Sequence, residues 1–242
     1  MKLNFVQVDA FADRPFTGNP AAVVPLDQWL PDEVMQAIAE ENNLSETAST
    51  VPASGDADYE LRWFTPTTEV ALCGHPTLAS GHVLIERDEI RFRTRKAGIL
   101  SVHRDGDALA LDLPVTLVKA TADERLLAAL GTLDGQVFHS CAGAEATAII
   151  LLDDEAAVRA CAPDMAALRG IDLMAIITAP GNQADVVSRV FVPAWGVDED
   201  PVTGSAHAAL APFWAERLGR DSFIAYQASR RGGRGRCRGG RD

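Results

Sequence analysis

Cysteine is scarce in this chain, and the few that occur are scattered. Cys73, Cys141, Cys161 and Cys237 contain no closely spaced pair, so they yield neither a disulfide framework nor a zinc-ribbon spacing. The five histidines also lack the short spacing of a metal-binding pair, and no metal is expected. No apolar run reaches the roughly 20 residues of a membrane helix. The opening "MKLNFVQVDAF" has no long apolar core of the kind a signal peptide carries. Basic residues are in deficit, with a formal net charge of −12, which excludes general binding to nucleic acid phosphates. A reduced, cytoplasmic, non-membrane protein is the expectation.

Short strand-like segments predominate, with a few helices among them. "LNFVQVDAF" alternates apolar and polar residues as an opening strand. "LPDEVMQAIAEENN" has a proline entry, early acids and apolar Val34, Met35 and Ile38, the pattern of an amphipathic helix. Strands follow at "SETASTVPA", "YELRWFTP", "EIRFRTR" and "GILSVHRDGDALALDLP", the last turning at Asp105-Gly106. Such clustering does not suit a doubly wound parallel sheet. A second half opens near Pro114, where "TADERLLAALG" offers Thr121 and Glu124 as a capping box and Gly131 as a stop. Further strands read at "QVFHSCA", "ATAIILL", "LMAIITAP" and "DVVSRVFVP".

The two halves echo one another. "FTPTTEVALCGHPTLASGHVLIE" and "FVPAWGVDEDPVTGSAHAALAPFWAERLG" share the order strand end, loop, glycine, helix. Phe64-x-Pro66 matches Phe191-x-Pro193, and Gly74-His75 matches Gly204-Ser205, as expected of a duplicated unit. Each glycine permits close approach of a ligand to the backbone. Beyond it, the first helical turn offers unpaired N–H groups and the positive end of the helix dipole, a site for a carboxylate or phosphate. If the halves face each other, both helix entrances open on one shared cleft.

Proton transfer needs a carboxylate or imidazole near such a site. "ENNLSETAST" supplies Glu46, either a proton carrier or an exposed acid at a strand edge. His75 suits a site residue and equally a capping or core histidine. Asp200 precedes Pro201 and also fits a turn, and Ser205 also fits a helix cap.

Together the stretches "VDAFADRPFTGNPAAVV", "NNLSETA", "RWFTPTTEVALCGHPTLAS", "DPVTGSAHAAL" and "YQASRRGG" resemble the phenazine-biosynthesis PhzF-like family, which has the fold of diaminopimelate epimerase. The resemblance implies an α/β (α+β) protein of two pseudo-symmetric domains, each a curved, mostly antiparallel sheet wrapped around a central helix. The halves are placed at residues 1–114 and 115–228. It further implies a homodimer, no cofactor, and an isomerase that moves a proton on a small carboxylate-bearing substrate. In the family's phenazine enzyme the "NLSE" acid shuttles a proton during isomerisation of a dihydro-hydroxyanthranilate, and Glu46 occupies that position. His75, Asp200 and Ser205 fall on the other catalytic positions, and Gly74, His75, Gly204 and Ser205 on substrate-binding ones. Burial would raise the pKa of a shuttling carboxylate by disfavouring its charge.

The epimerase relatives use two opposed cysteines, one before each glycine. Here Cys73 is kept, but Thr203 stands in the second position, and its hydroxyl is too weak an acid to replace a thiol. An amino-acid or hydroxy-acid epimerase or racemase is therefore the second choice, and a non-catalytic small-molecule binder the third. The end, "SRRGGRGRCRGGRD", has six arginines and almost nothing apolar. It is expected to be an unstructured tail over residues 229–242, with contact to RNA as its functional alternative. Relatives continue with strands at this point, so the resemblance implies an exposed sheet edge.

Overall fold

The computed structural model describes residues 2–132, 134–141 and 146–239. The chain divides into two compact units, Met1–Ala10 with Asn19–Leu113, and Phe11–Gly18 with Pro114–Asp242.

The first unit is built from β1 (Val6–Ala10), β2 (Asn19–Pro25), α1 (Asp32–Asn42), β3 (Glu46–Pro52), β4 (Tyr59–Phe64), β5 (Glu69–Val70), α2 (Gly74–Leu84), β6 (Glu89–Thr94), β7 (Ile99–Asp105) and β8 (Ala108–Leu111). Its sheet runs β1-β2-β3-β4-β6-β7-β8, with β5 hydrogen-bonded to β4. The pairs β2–β3 and β4–β6 are parallel and the rest antiparallel. Helix α2 touches strands at both edges of this sheet, β1 and β8, so the sheet curls around it. That position explains its composition. Its first turns are buried almost throughout, and its hydroxyls bond back to its own carbonyls, Thr77 to Cys73 and Ser80 to Pro76. Gly81 allows the close fit, because a Cβ there would lie 2.6 Å from Val102 Cγ1.

The second unit contains β9 (Val118–Ala120), α3 (Glu124–Leu130), β10 (Gln136–Ser140), β11 (Thr147–Leu151), α4 (Glu155–Ala160), α5 (Met165–Arg169), β12 (Met174–Pro180), β13 (Val186–Val192), a 3-10 turn at Pro193–Trp195, β14 (Val197–Asp200), α6 (Ala206–Leu218), β15 (Ser222–Gln227) and β16 (Gly233–Arg238). Its sheet order is β16-β15-β13-β12-β11-β10-β9, with β14 on β13. Ile149 and Ile176 pack with Leu210, Phe213 and Trp214 of α6. Their neighbours Ile150 and Ile177 pack on the opposite face against Leu126, Leu130, Val158 and Leu168 of α3, α4 and α5. Burial on both faces is why "ATAIILL" and "LMAIITAP" read as continuous apolar runs.

The duplication reappears as topology. From β1 onward the first sheet pairs antiparallel, parallel, antiparallel, parallel, antiparallel through β7. From β10 onward the second repeats that series through β16. In each unit a short strand, β5 or β14, hairpins onto the fourth strand of the series just before the central helix.

Two local expectations need correction. Helix α3 is capped by Asp123, whose carboxylate accepts from Leu126 N at 2.9 Å, and not by Thr121. The Thr121 amide is spent on Val137 O and its hydroxyl on Lys119 O. The Arg/Gly-rich segment is not an unstructured tail throughout: Gly233–Arg238 forms β16, paired along its length with β15. An edge strand gains from backbone hydrogen bonds as well as apolar area. Here Cys237 is buried against α6, while Arg234, Arg236 and Arg238 project to solvent. Gly233 fits because a Cβ would lie 2.4 Å from Val202 Cγ2. Residues 240–242 of the expected tail lie outside the described residues.

Candidate active site

In the first unit the parallel ladder aligns Ala21 of β2 with Glu46 at the start of β3. That brings Glu46 to the entrance of α2. Its carboxylate Oε2 lies 3.2 Å from His75 Nε2, with Glu46 13% and His75 1% exposed. The approach is an electrostatic contact, since Nε2 is not aligned for a hydrogen bond. On the other side of the ring, Asn19 Nδ2 is 3.3 Å and Cys73 Sγ 3.8 Å from Nδ1.

Burial pushes the His75 imidazole down to about 3, against a smaller opposing effect from its hydrogen bond to the Pro20 carbonyl. The ring is therefore neutral near neutral pH. A neutral ring has one donor nitrogen and one acceptor. Nε2 is the ring nitrogen that faces Glu46, while Nδ1 faces the Asn19 amide and the Cys73 thiol. Such a carboxylate–imidazole pair can share one proton. Glu46, Cys73 and His75 also offer three donor atoms within 4.8 Å of one another.

In the second unit Asp200 ends β14, Gly204 and Ser205 lead into α6, and Gln227 ends β15. The Thr203 hydroxyl donates to the Asp200 carboxylate. Gln227 ties the corner together: its Oε1 accepts from Thr203 N at 2.8 Å, and its Nε2 donates to Asp200 O at 2.7 Å and Thr203 Oγ1 at 3.2 Å. His207 Nδ1 donates to Thr203 O at 2.8 Å, and burial lowers its pKa. Ser205 already has helical angles and makes no side-chain cap bond. The two helix entrances thus differ in chemistry, the first pairing a carboxylate with a neutral imidazole and the second forming a fixed hydrogen-bonding corner.

Both corners are preceded by the same brace. Arg62 of β4 makes a bidentate pair with Glu69, both bonds at 2.8 Å, and its guanidinium lies 5.0 Å from the Phe64 ring. Arg189 of β13 makes the matching pair with Glu199, at 2.8 and 3.0 Å, and lies 5.0 Å from the Phe191 ring. Glu69 stands opposite Phe64, and Glu199 opposite Phe191. In each unit the helix-entrance glycine follows the glutamate at the same spacing. Burial opposes charge on Arg62, but Glu69 and Asp32 outweigh it and raise its pKa; Glu199 does the same for Arg189. A buried, stacked, bidentate arginine has little freedom, so the short strand feeding each helix is held rigidly.

The structure brings Glu46, Gly74 and His75 together in the first unit, and Asp200, Gly204 and Ser205 together in the second. Sequence reasoning did not single out Asn19, Gln227 or His207. Asn19 and Gln227 lie inside the quoted "FTGNP" and "YQAS" stretches, but nothing in the residue types shows that both are fully buried polar side chains.

Comparison with known proteins agrees with this architecture. A relative from Pseudomonas aeruginosa named as an uncharacterized isomerase is 51% identical, covering 98% of this chain and 91% of its own length. A human phenazine biosynthesis-like domain-containing protein is 35% identical over 96% of this chain and 90% of its own. The crystal structure of a phenazine biosynthesis PhzF-family protein from Enterococcus faecalis superposes with a TM-score of 0.90 at 42% identity, covering 100% of this chain and 93% of that one. A hydroxyproline epimerase from Agrobacterium vitis shares the fold alone, with a TM-score of 0.58 at 15% identity. The family model described as phenazine biosynthesis-like protein matches residues 8–238, and the chain belongs to that family.

Proposed function

We propose that this protein is an isomerase that moves a proton between carbons of a small carboxylate-bearing molecule, with Glu46 as the proton carrier. The observation that carries this reading is the Glu46 carboxylate set 3.2 Å from Nε2 of a buried, neutral imidazole. The Glu46 carboxylate accepts a proton from one substrate carbon and returns it to another, so no net proton is consumed. The neutral His75 ring beside Glu46 adds no positive charge that would lock the carboxylate in its ionised form. Backbone N–H groups at the entrance of α2, beside Glu46, receive the substrate's carboxylate. None of these steps calls for a cofactor.

Support also comes from relatives named as isomerases. The two-thiol epimerase chemistry is less well supported, because Thr203 replaces one thiol and its hydroxyl is already committed to Asp200. A thermal-shift screen of small carboxylic acids identifies a ligand, since selective binding to the folded state raises its stability. Incubation with that ligand in heavy water is expected to place deuterium on carbon. A ligand that stabilises the protein yet acquires no deuterium would favour a binding protein instead.

A further inference from the structure

The retained thiol has no part in the proton transfer just described, yet it stands beside both groups that do. We propose that Glu46, Cys73 and His75 form a site for a thiophilic divalent cation, Zn2+ foremost, and that occupancy removes Glu46 from proton transfer. The occupancy site rests on geometry alone, and only its effect on turnover rests on the isomerase reading.

The donor set is suited to zinc: a thiol, an imidazole and a carboxylate, with ligand atoms within 4.8 Å of one another. A tetrahedral ion about 2.0 Å from nitrogen and oxygen sets those two atoms roughly 3.3 Å apart. His75 Nε2 and Glu46 Oε2 are already 3.2 Å apart. The Cys73 Sγ atom, 3.8 Å from the ring's Nδ1, has to swing toward the ion to reach the roughly 2.3 Å of a zinc–sulfur bond. His75 Nε2 is buried and makes no hydrogen bond. The ring's other nitrogen, Nδ1, is flanked by Asn19 Nδ2 at 3.3 Å and Cys73 Sγ at 3.8 Å, so the imidazole is held in place.

Charge also balances. Binding expels the thiol proton, so one thiolate and one carboxylate meet a dication in a buried place without leaving net charge. The start of α2 favours the thiolate. The same helix end opposes a bare cation, but it opposes a neutral ion–ligand set far less.

The test is titration of the full-length protein with Co2+ as a spectroscopic substitute, followed by Zn2+ displacement. One equivalent of Co2+ is expected to give a near-ultraviolet thiolate-to-cobalt charge-transfer band that Zn2+ abolishes. Cys73→Ala should lose that band and bind at least about tenfold more weakly, whereas Cys141→Ala, which removes the exposed thiol, should keep it. In the deuterium assay Zn2+ should suppress exchange by the native protein and spare Cys73→Ala. Absence of the band in the native protein, or its survival in Cys73→Ala, would overturn the site. Equal inhibition of the native and Cys73→Ala proteins would overturn the proposed blockade. The cobalt band requires no turnover, so it decides the site even if the isomerase reading fails.

Discussion

Two neighbouring acids in β14 offer a controlled test of the duplicated brace. Glu199 pairs with Arg189 at 24% and 14% side-chain exposure, while Asp198 pairs with Arg169 at 56% and 58%. Removing one partner of a fully buried pair costs about 3–5 kcal/mol, because the other charge stays buried. In Glu199→Ala, Arg189 keeps its bonds to the carbonyls of Cys161 at 2.7 Å and Val158 at 3.3 Å. Partial exposure softens the loss further, so about 2–3 kcal/mol is expected for Glu199→Ala. Asp198→Ala should cost less than about 1 kcal/mol, as exposed pairs do. At about 2–4 °C per kcal/mol for chains of this size, Glu199→Ala should lower the melting temperature by roughly 5–10 °C. Asp198→Ala should lower it by no more than a few degrees. Circular dichroism melts of the two variants beside the native protein suffice. Equal shifts would show that the brace carries no special energy, and the rigidity inferred for the strand feeding Asp200 would go with it.

Gly81→Ala should destabilise the protein by about 1–3 kcal/mol, the range for overpacking, despite the better helix propensity of alanine. Its Cβ has to displace Val102 in the adjacent strand, so Val102→Ala should partly rescue the variant in urea unfolding; no rescue would refute the contact. Acid sensitivity provides a third test. His75 titrates near 6.5 unfolded and about 3 folded, so the unfolded state binds more protons between those values. Its contribution is complete above pH 6.5 and is lost as pH falls toward 3, at up to about 1.4 kcal/mol per unit. His207 is shifted in the same direction. Urea midpoints of His75→Gln should therefore fall less between pH 7 and 4.5 than those of the native protein, and parallel declines would contradict a buried neutral ring.

Much of the fold was legible because the helix entrances repeat. The glycines at 74 and 204 and the Phe-x-Pro pairs mark equivalent corners, and the structure makes them equivalent in strand order and pairing. The repeat is longer than those matches. Arg62 and Glu69 correspond to Arg189 and Glu199, but a longer hairpin with a 3-10 turn separates the second pair and hides the match from fixed-spacing comparison. Glu46 and His75 were identifiable as residues, yet their separation of 29 positions gave no hint of contact until the β2–β3 ladder placed Glu46 beside α2. Composition misled at β16, where arginine and glycine read as disorder. Pairing with β15 depends on backbone groups, which every residue supplies. Short helices such as α4 and α5 also escaped notice, being shorter than the window in which helical periodicity is readable.

The central claim is that Glu46 carries the proton, and its most direct test is the rate of deuterium uptake from heavy water by two variants. Glu46→Gln preserves shape but cannot cycle a proton, so exchange into the ligand found by the thermal-shift screen should fall by at least about a hundredfold. Its melting temperature should stay close to that of the native protein. Cys73→Ala, measured alongside without added metal, should retain most of the native rate. Loss of exchange in Cys73→Ala with exchange intact in Glu46→Gln would transfer the proton to the thiol and contradict the account.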